Sequence, residues 1–196
     1  YQVTDLHKLK GLAEQANIGQ IYYKDESKRF DLKSFKALGG AYAVTRFLQQ
    51  YLEELNGEQP TMTQLLSGQF KEQLKDVVVS CATDGNHGRS VAWGSQMFGC
   101  QCIIYMHRDV SAGRQTAVEA YAAKVIRIAG NYDESVRQAA VDAELHGRVI
   151  ISDTSYEGYT EVPANVALGY TVMLSETGEQ LNGCLLYTSP SPRDTQ

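Results

Sequence analysis

No stretch of the 196-residue chain stays apolar long enough to cross a bilayer: runs such as VVVSCA and CIIYM fall far short of the ~20 residues a spanning helix needs. Nor is there an excess of basic residues, since 18 Lys and Arg face 23 Asp and Glu for a net charge of -5. A nucleic acid or an anionic membrane is therefore excluded as the expected partner, and a small molecule or a protein is favoured. Cysteine is sparse. Cys81, Cys100, Cys102 and Cys184 lack the paired CxxC spacing of a zinc site and form no secretory disulfide framework, so they read as reduced thiols of a soluble, cytoplasmic protein. The first residues, YQVTDLHKLKG, hold neither an apolar signal core nor an initiating methionine, and the start reads as truncated. There is no internal repeat. What remains is ordinary globular composition, 43% hydrophobic and 21% charged, enough for one or two domains with a core.

From residue 76 onward short β-rich runs alternate with helical stretches, the rhythm of an open parallel sheet flanked by helices. The predicted strands are 76–82, 101–106, 123–128 and 148–152, with helices over about 87–98, 112–122, 132–146 and 158–176. The third of these helices has the clearest start and stop. Asn131 and Glu134 form a capping-box pattern, and His146-Gly147 closes it. Before residue 76 the pattern gives a short strand at 21–26, a long helix from about Ser34 to Leu55, and a helix around TMTQLLSGQF. The break at LNGEQP suggests two lobes with a boundary near residue 60. The last stretch, 184–196, departs from the pattern and contains two of the four prolines. It reads as a foreign, adapter-like tail, which implies that the natural chain continues past residue 183.

Two motifs could carry chemistry. In SFKALGGAYA, Lys36 opens a helix, where the helix dipole disfavours an ammonium and burial beside Phe35 and Leu38 would favour the neutral, nucleophilic amine. A lysine in a polar first turn explains SFK equally well. The second motif, CATDGNHGRSVA at 81–92, sits where a parallel strand gives way to a helix, the edge at which open α/β sheets bind ligands. An isolated DGN could be only a helix-capping turn. His87 has no second His or Cys at ligand spacing, so a hydrogen-bonding role at the helix start is favoured over a metal site.

Together, the lysine of SFKALGGAYA and the downstream TDGNHG loop resemble the fold-type II pyridoxal 5'-phosphate (PLP) enzymes. Within them the chain looks most like the diaminopropionate ammonia-lyases, on FKALGGAYA (35–43), ATDGNHG (82–88) and DTSYEGYT (153–160). The resemblance covers about residues 20–176, and Asp84 is its most discriminating letter, because the related dehydratases usually have a small residue there.

The resemblance implies a fold-type II α/β architecture of two lobes, the larger one incomplete. Residues 1–60 would be the N-terminal part of the large PLP domain, including the lysine, and 61–183 the small α/β domain. It implies that Lys36 is the Schiff-base lysine and that Phe35, Asp84, Gly85, Asn86 and His87 contact the cofactor. The implied reaction is α,β-elimination of D- and L-2,3-diaminopropionate to pyruvate and ammonia, with Lys36 and Asp84 as bases on opposite faces. Asp153 is the next candidate, for the substrate's second ammonium or as a base, although a turn or capping role fits it as well. A homodimer is implied for the full-length protein, and this fragment alone is expected to be inactive. Two alternatives stay open: a threonine or serine dehydratase or other β-eliminating enzyme of the same fold, and a non-catalytic α/β ligand-binding domain.

Overall fold

The structure, a computed structural model, describes residues 2–181. The expected foreign tail at 184–196, with Cys184, lies outside the described residues. Four parallel strands form the central sheet: β3 (Val78–Ala82), β4 (Gln101–His107), β5 (Lys124–Ile128) and β6 (Val149–Ile150), with β1 (Asp5–Lys8) and β2 (Tyr22–Asp25) pairing separately. The order across the sheet is β5-β4-β3-β6, and the pairings β3–β4, β3–β6 and β4–β5 are parallel. The chain moves outward through β3, β4 and β5 and then returns to the far side of β3. That reversal puts the topological switch point, where α/β sheets open a crevice at their carboxyl ends, between β3 and β6.

Three helices cover the sheet, α5 (Asn86–Phe98), α6 (Ala112–Glu119) and α7 (Tyr132–His146), and a fourth, α8 (Glu161–Gln180), follows β6. As expected, Asn131 and Glu134 cap α7 reciprocally, at 3.0 Å (Glu134 N–H to Asn131 Oδ1) and 2.6 Å (Asn131 N–H to Glu134 Oε2). β3 is buried along its middle, which is why VVSCA is apolar on both faces apart from Ser80 rather than alternating. No helix among the described residues is long and apolar enough to cross a membrane.

Upstream, α2 (Lys36–Asn56) is the long predicted helix, and Ala37, Ala41, Val44, Leu48 and Leu52 form its buried stripe. It lies against both α5 and α8. The approach to α8 is close: a Cβ at Gly39 would collide with the Tyr170 ring. On the α5 side the buried Ser90 hydroxyl accepts from Ala41 N–H (3.0 Å) and donates to the Ala37 carbonyl (3.2 Å), bridging the two helices. One hydrophobic cluster runs from Ala43 of α2 through Val79, Ile104 and Met106 to Val166 of α8, across residue 60.

Four departures from the sequence reading stand out. TMTQLLSGQF holds one short helix, α3 (Met62–Ser67), which stops at Gly68, and a further short helix, α4 (Lys71–Leu74), follows it. Residues 5–8 add a strand, β1 (Asp5–Lys8), antiparallel to β2 (Tyr22–Asp25). A short helix, α1 (Lys10–Gln15), joins these two strands. A 3-10 stretch over Glu26–Asp31 then leads toward α2, with Phe30, Asp31 and Lys33 at positive φ.

Candidate active site

The loops that leave β3 and β6 flank the switch point, and a cavity of about 420 Å³ opens there. Lys36, residues 82–87, Arg114, Tyr132 and Asp153 line it. Its size lies within the range of small-molecule sites. Three distant stretches thus meet: the first residue of α2, the loop after β3 and the residues after β6.

Lys36 begins α2, as expected. Its Nζ lies 2.5 Å from Asp153 Oδ2, with side-chain exposures of 28% and 22%. The Phe35 and Tyr170 rings flank the same amine at 5.4 and 5.5 Å from their centroids. Burial disfavours the ammonium, but the bond and charge of Asp153 outweigh it, so the Lys36 pKa is raised. This corrects the expectation that the helix start and partial burial would leave the amine neutral. Asp153 shows the complementary shift. Burial would raise it, but His87 and Lys36 draw it below the usual carboxylate value.

His87 is buried in the first turn of α5, and its Nε2 lies 2.7 Å from the Ile151 carbonyl. A carbonyl only accepts, so Nε2 carries the proton, and the ring ties α5 to the end of β6. Nδ1 is then a bare acceptor. It is buried without a hydrogen-bond partner, 3.7 Å from Asp153 Oδ2. Burial lowers the His87 pKa against the pull of Asp153 and Ile151, so the ring is neutral at neutral pH.

The loop after β3 is held from within. The Thr83 hydroxyl accepts from the Gly85 and Gly88 N–H groups at 3.1 and 3.2 Å. Gly85 adopts φ +150, a conformation that side chains rarely tolerate, which accounts for glycine between Asp84 and Asn86. Asp84 itself is 60% exposed, and its Oδ1 lies 3.0 Å from His107 Nε2. Of the residues singled out from sequence, Lys36, Asp84, Gly85, Asn86, His87 and Asp153 line the cavity. Phe35 instead turns its ring edge-on to Tyr170, centroids 5.1 Å apart, beside the lysine rather than on the cavity wall. Thr83, His107, Arg114, Tyr132 and Tyr170 were missed. Of these, Thr83 lies within the TDGNHG motif and His107 directly follows the predicted strand QCIIYM.

An amine at the opening of a parallel-sheet crevice, with carboxylates about it, defines an α/β protein suited to covalent amine chemistry on a small ligand. Residues 1–190 match the family model described as "Pyridoxal-phosphate dependent enzyme", and the chain belongs to that family. Among curated proteins it is 39% identical over 182 residues to diaminopropionate ammonia-lyase of Salmonella typhimurium, covering 92% of this chain and 45% of that one. It is 37% identical over 185 residues to the enzyme of that name in Escherichia coli, covering 92% and 44%. The crystal structure of selenomethionine-containing holo diaminopropionate ammonia lyase from Escherichia coli matches with a TM-score of 0.80 at 36% identity, over 93% of this chain and 46% of that one. The chain thus spans about half the length of the curated relatives it matches.

PLP fits the residues present. Its aldehyde requires an amine, and Lys36 supplies one at a cavity of small-molecule size. Its polar ring has an unmatched acceptor nearby in the buried His87 Nδ1.

Proposed function

We propose that the whole protein catalyses the PLP-dependent α,β-elimination of 2,3-diaminopropionate, in both enantiomers, to pyruvate and ammonia. One observation carries this reading: the Lys36 amine and the carboxylates of Asp84 and Asp153 line a single cavity. A dehydratase has no second substrate ammonium to bind, whereas diaminopropionate presents two, and two carboxylates suit it.

When bound, PLP supplies the electron sink for the pair released from the Cα–H bond. Lys36 would hold it covalently, with Phe35 packed beside the lysine, and Gly85, Asn86 and His87 would contact it. While its amine is free, Asp153 keeps Lys36 protonated. A substrate ammonium that takes over Asp153 removes what holds that proton. Burial then dominates and delivers the neutral amine that a nucleophile or base must be. Lys36 takes the α-proton of one enantiomer at Nζ, and Asp84 takes that of the other at its carboxylate, because a single base reaches only one face. Loss of the β-amino group leaves an enamine that water converts to pyruvate and a second ammonia.

The domain division at residue 60 and the homodimer are proposed for the whole protein on the same resemblance. A cytoplasmic setting is supported by the free, buried Cys81, Cys100 and Cys102. Burial keeps these thiols protonated, at about 11 for Cys100 and about 12 for Cys102.

The test compares pyruvate release by the whole protein from D- and L-diaminopropionate, serine and threonine. Diaminopropionate should be turned over fastest, and Asp84→Asn should depress one enantiomer by roughly 100-fold or more relative to the other. Preference for serine or threonine would make the protein a dehydratase, and absence of any cofactor imine would favour a non-catalytic ligand-binding domain.

A further inference from the structure

Asp84 is the most exposed carboxylate of the site, at 60%, and an exposed carboxylate rotates unless something holds it. The sheet supplies the holder. In the β3–β4 register Ala82 stands opposite Tyr105, and Thr83 N–H continues the ladder by donating to the Tyr105 carbonyl at 3.0 Å. Two residues beyond that pair, the same register sets Asp84 beside His107, the last residue of β4. His107 is mostly covered, its side chain 17% exposed, and its Nε2 lies 3.0 Å from Asp84 Oδ1.

The ring's own surroundings fix which nitrogen donates. Asp109 N–H donates to His107 Nδ1 at 3.3 Å, so the neutral ring has its lone pair at Nδ1 and its proton at Nε2, directed at Asp84. Groups from each neighbouring element complete the setting. Asp109 Oδ2 lies 3.6 Å from Nδ1, and Asp109 Oδ1 is paired at 3.8 Å with Arg108 Nε. From α6, Arg114 Nη1 donates to the Asp84 carbonyl at 3.2 Å. From β5, Arg127 Nη2 donates to the carbonyls of Arg108 (2.7 Å) and Val110 (2.8 Å), holding the turn on which Asp109 sits. Lys36, Asp153, His87 and Tyr132 line the same cavity. Among the described residues, no hydrogen bond engages Asp84 Oδ2.

We infer that His107 is the positioning residue for Asp84. Its Nε2–H holds Oδ1 and leaves Oδ2 as the atom that meets the substrate, so that His107 governs how the protein divides its turnover between enantiomers. The inference rests on the proposed reaction for its catalytic consequence, whereas the hydrogen bond itself does not depend on that reaction.

The test uses the whole, cofactor-loaded protein. His107→Phe removes the donor, and His107→Gln returns an amide N–H to the same place. His107→Phe should change the ratio of kcat for D- and L-diaminopropionate by about tenfold, in the direction that Asp84→Asn changes it, with KM changing less than kcat. His107→Gln should restore most of the ratio, which a general loss of packing would not allow. The second readout is independent of activity. With 15N-labelled histidine, His107 should be the Nε2-protonated tautomer, and Asp84→Asn should shift its Nε2 resonance. An unchanged kcat ratio in His107→Phe beside a selective Asp84→Asn would overturn the inference and leave the reaction standing. An Nδ1-protonated ring, or an Nε2 resonance indifferent to Asp84→Asn, would overturn it as well. If Asp84→Asn slows both enantiomers equally, the reading of Asp84 as one-sided base fails, whatever the tautomer.

Discussion

Two charged clusters lie on either side of the loop that enters α2, and they are built in opposite ways. In the first, Arg29 is fully buried, with Nε donating to Glu26 at 2.8 Å and Nη1 and Nη2 donating to the two Glu176 oxygens, both at 2.8 Å. Lys24 adds a second cation at 2.7 Å from Glu176, and the Thr4 hydroxyl donates to Glu26 at 2.6 Å. This cluster ties the β1–β2 hairpin to α8 and anchors the stretch whose positive-φ residues lead to Lys36. In the second, Lys36 and Asp153 share one short contact, both are partly exposed, and the adjacent His87 Nδ1 has no donor. The charges that hold the fold are bonded on many sides. Those at the cavity retain capacity for a ligand, and that unfilled capacity separates a site from a brace.

Breaking the first cluster should have the largest effect. Glu176→Ala leaves Arg29 and Lys24 without their shared carboxylate, and removing one member of a buried pair costs about 3–5 kcal/mol. The loss would be read as a lowered urea midpoint of the whole protein, and a change below about 1 kcal/mol would erase the contrast between the clusters. Asp153→Asn should cost little stability, about 1 kcal/mol or less for so accessible a pair. Its effect is chemical instead. With the carboxylate gone, burial becomes the main influence on Lys36 and its pKa falls, so imine formation with added PLP should begin at lower pH than in the parent protein.

The smallest effect is the pair's contribution to stability as pH varies, and its sign follows from the two shifts. Asp153 is depressed, so its share is present above the ordinary carboxylate range and is lost as pH falls through the lowered value. Lys36 is raised, so its share is complete below the ordinary lysine range and is lost as pH rises through the raised value. The difference in unfolding free energy between the parent and Asp153→Asn should therefore be flat across neutral pH and shrink at both extremes. A limb centred near neutrality would assign the titration to another group.

The parts of the molecule built from local signals were legible in the sequence. The strand and helix rhythm from β3 onward followed from short apolar runs, and the start of α7 from Asn131 and Glu134. Strand β1 was not, because DLHK is mostly exposed and exists through its pairing with Tyr22–Asp25, beyond an intervening helix. The site divides along the same line. Lys36 at a helix start and Asp84 and Asp153 at strand ends could be read, since strand ends in a parallel sheet share an edge. The protonation of Lys36 could not. The dipole and burial argument pointed to the neutral form because it lacked a partner 117 residues away, whose proximity only the folded chain provides. His107 stayed hidden for a related reason: its role depends on the register between β3 and β4, which neither strand states alone.

The central claim is that Lys36 is the cofactor's anchor. Borohydride reduction of the PLP-loaded whole protein, followed by peptide mass mapping, tests it most directly. The pyridoxyl label is predicted on Lys36, in the peptide containing SFKALGGAYA, and a label on any other lysine, or on none, would contradict the account.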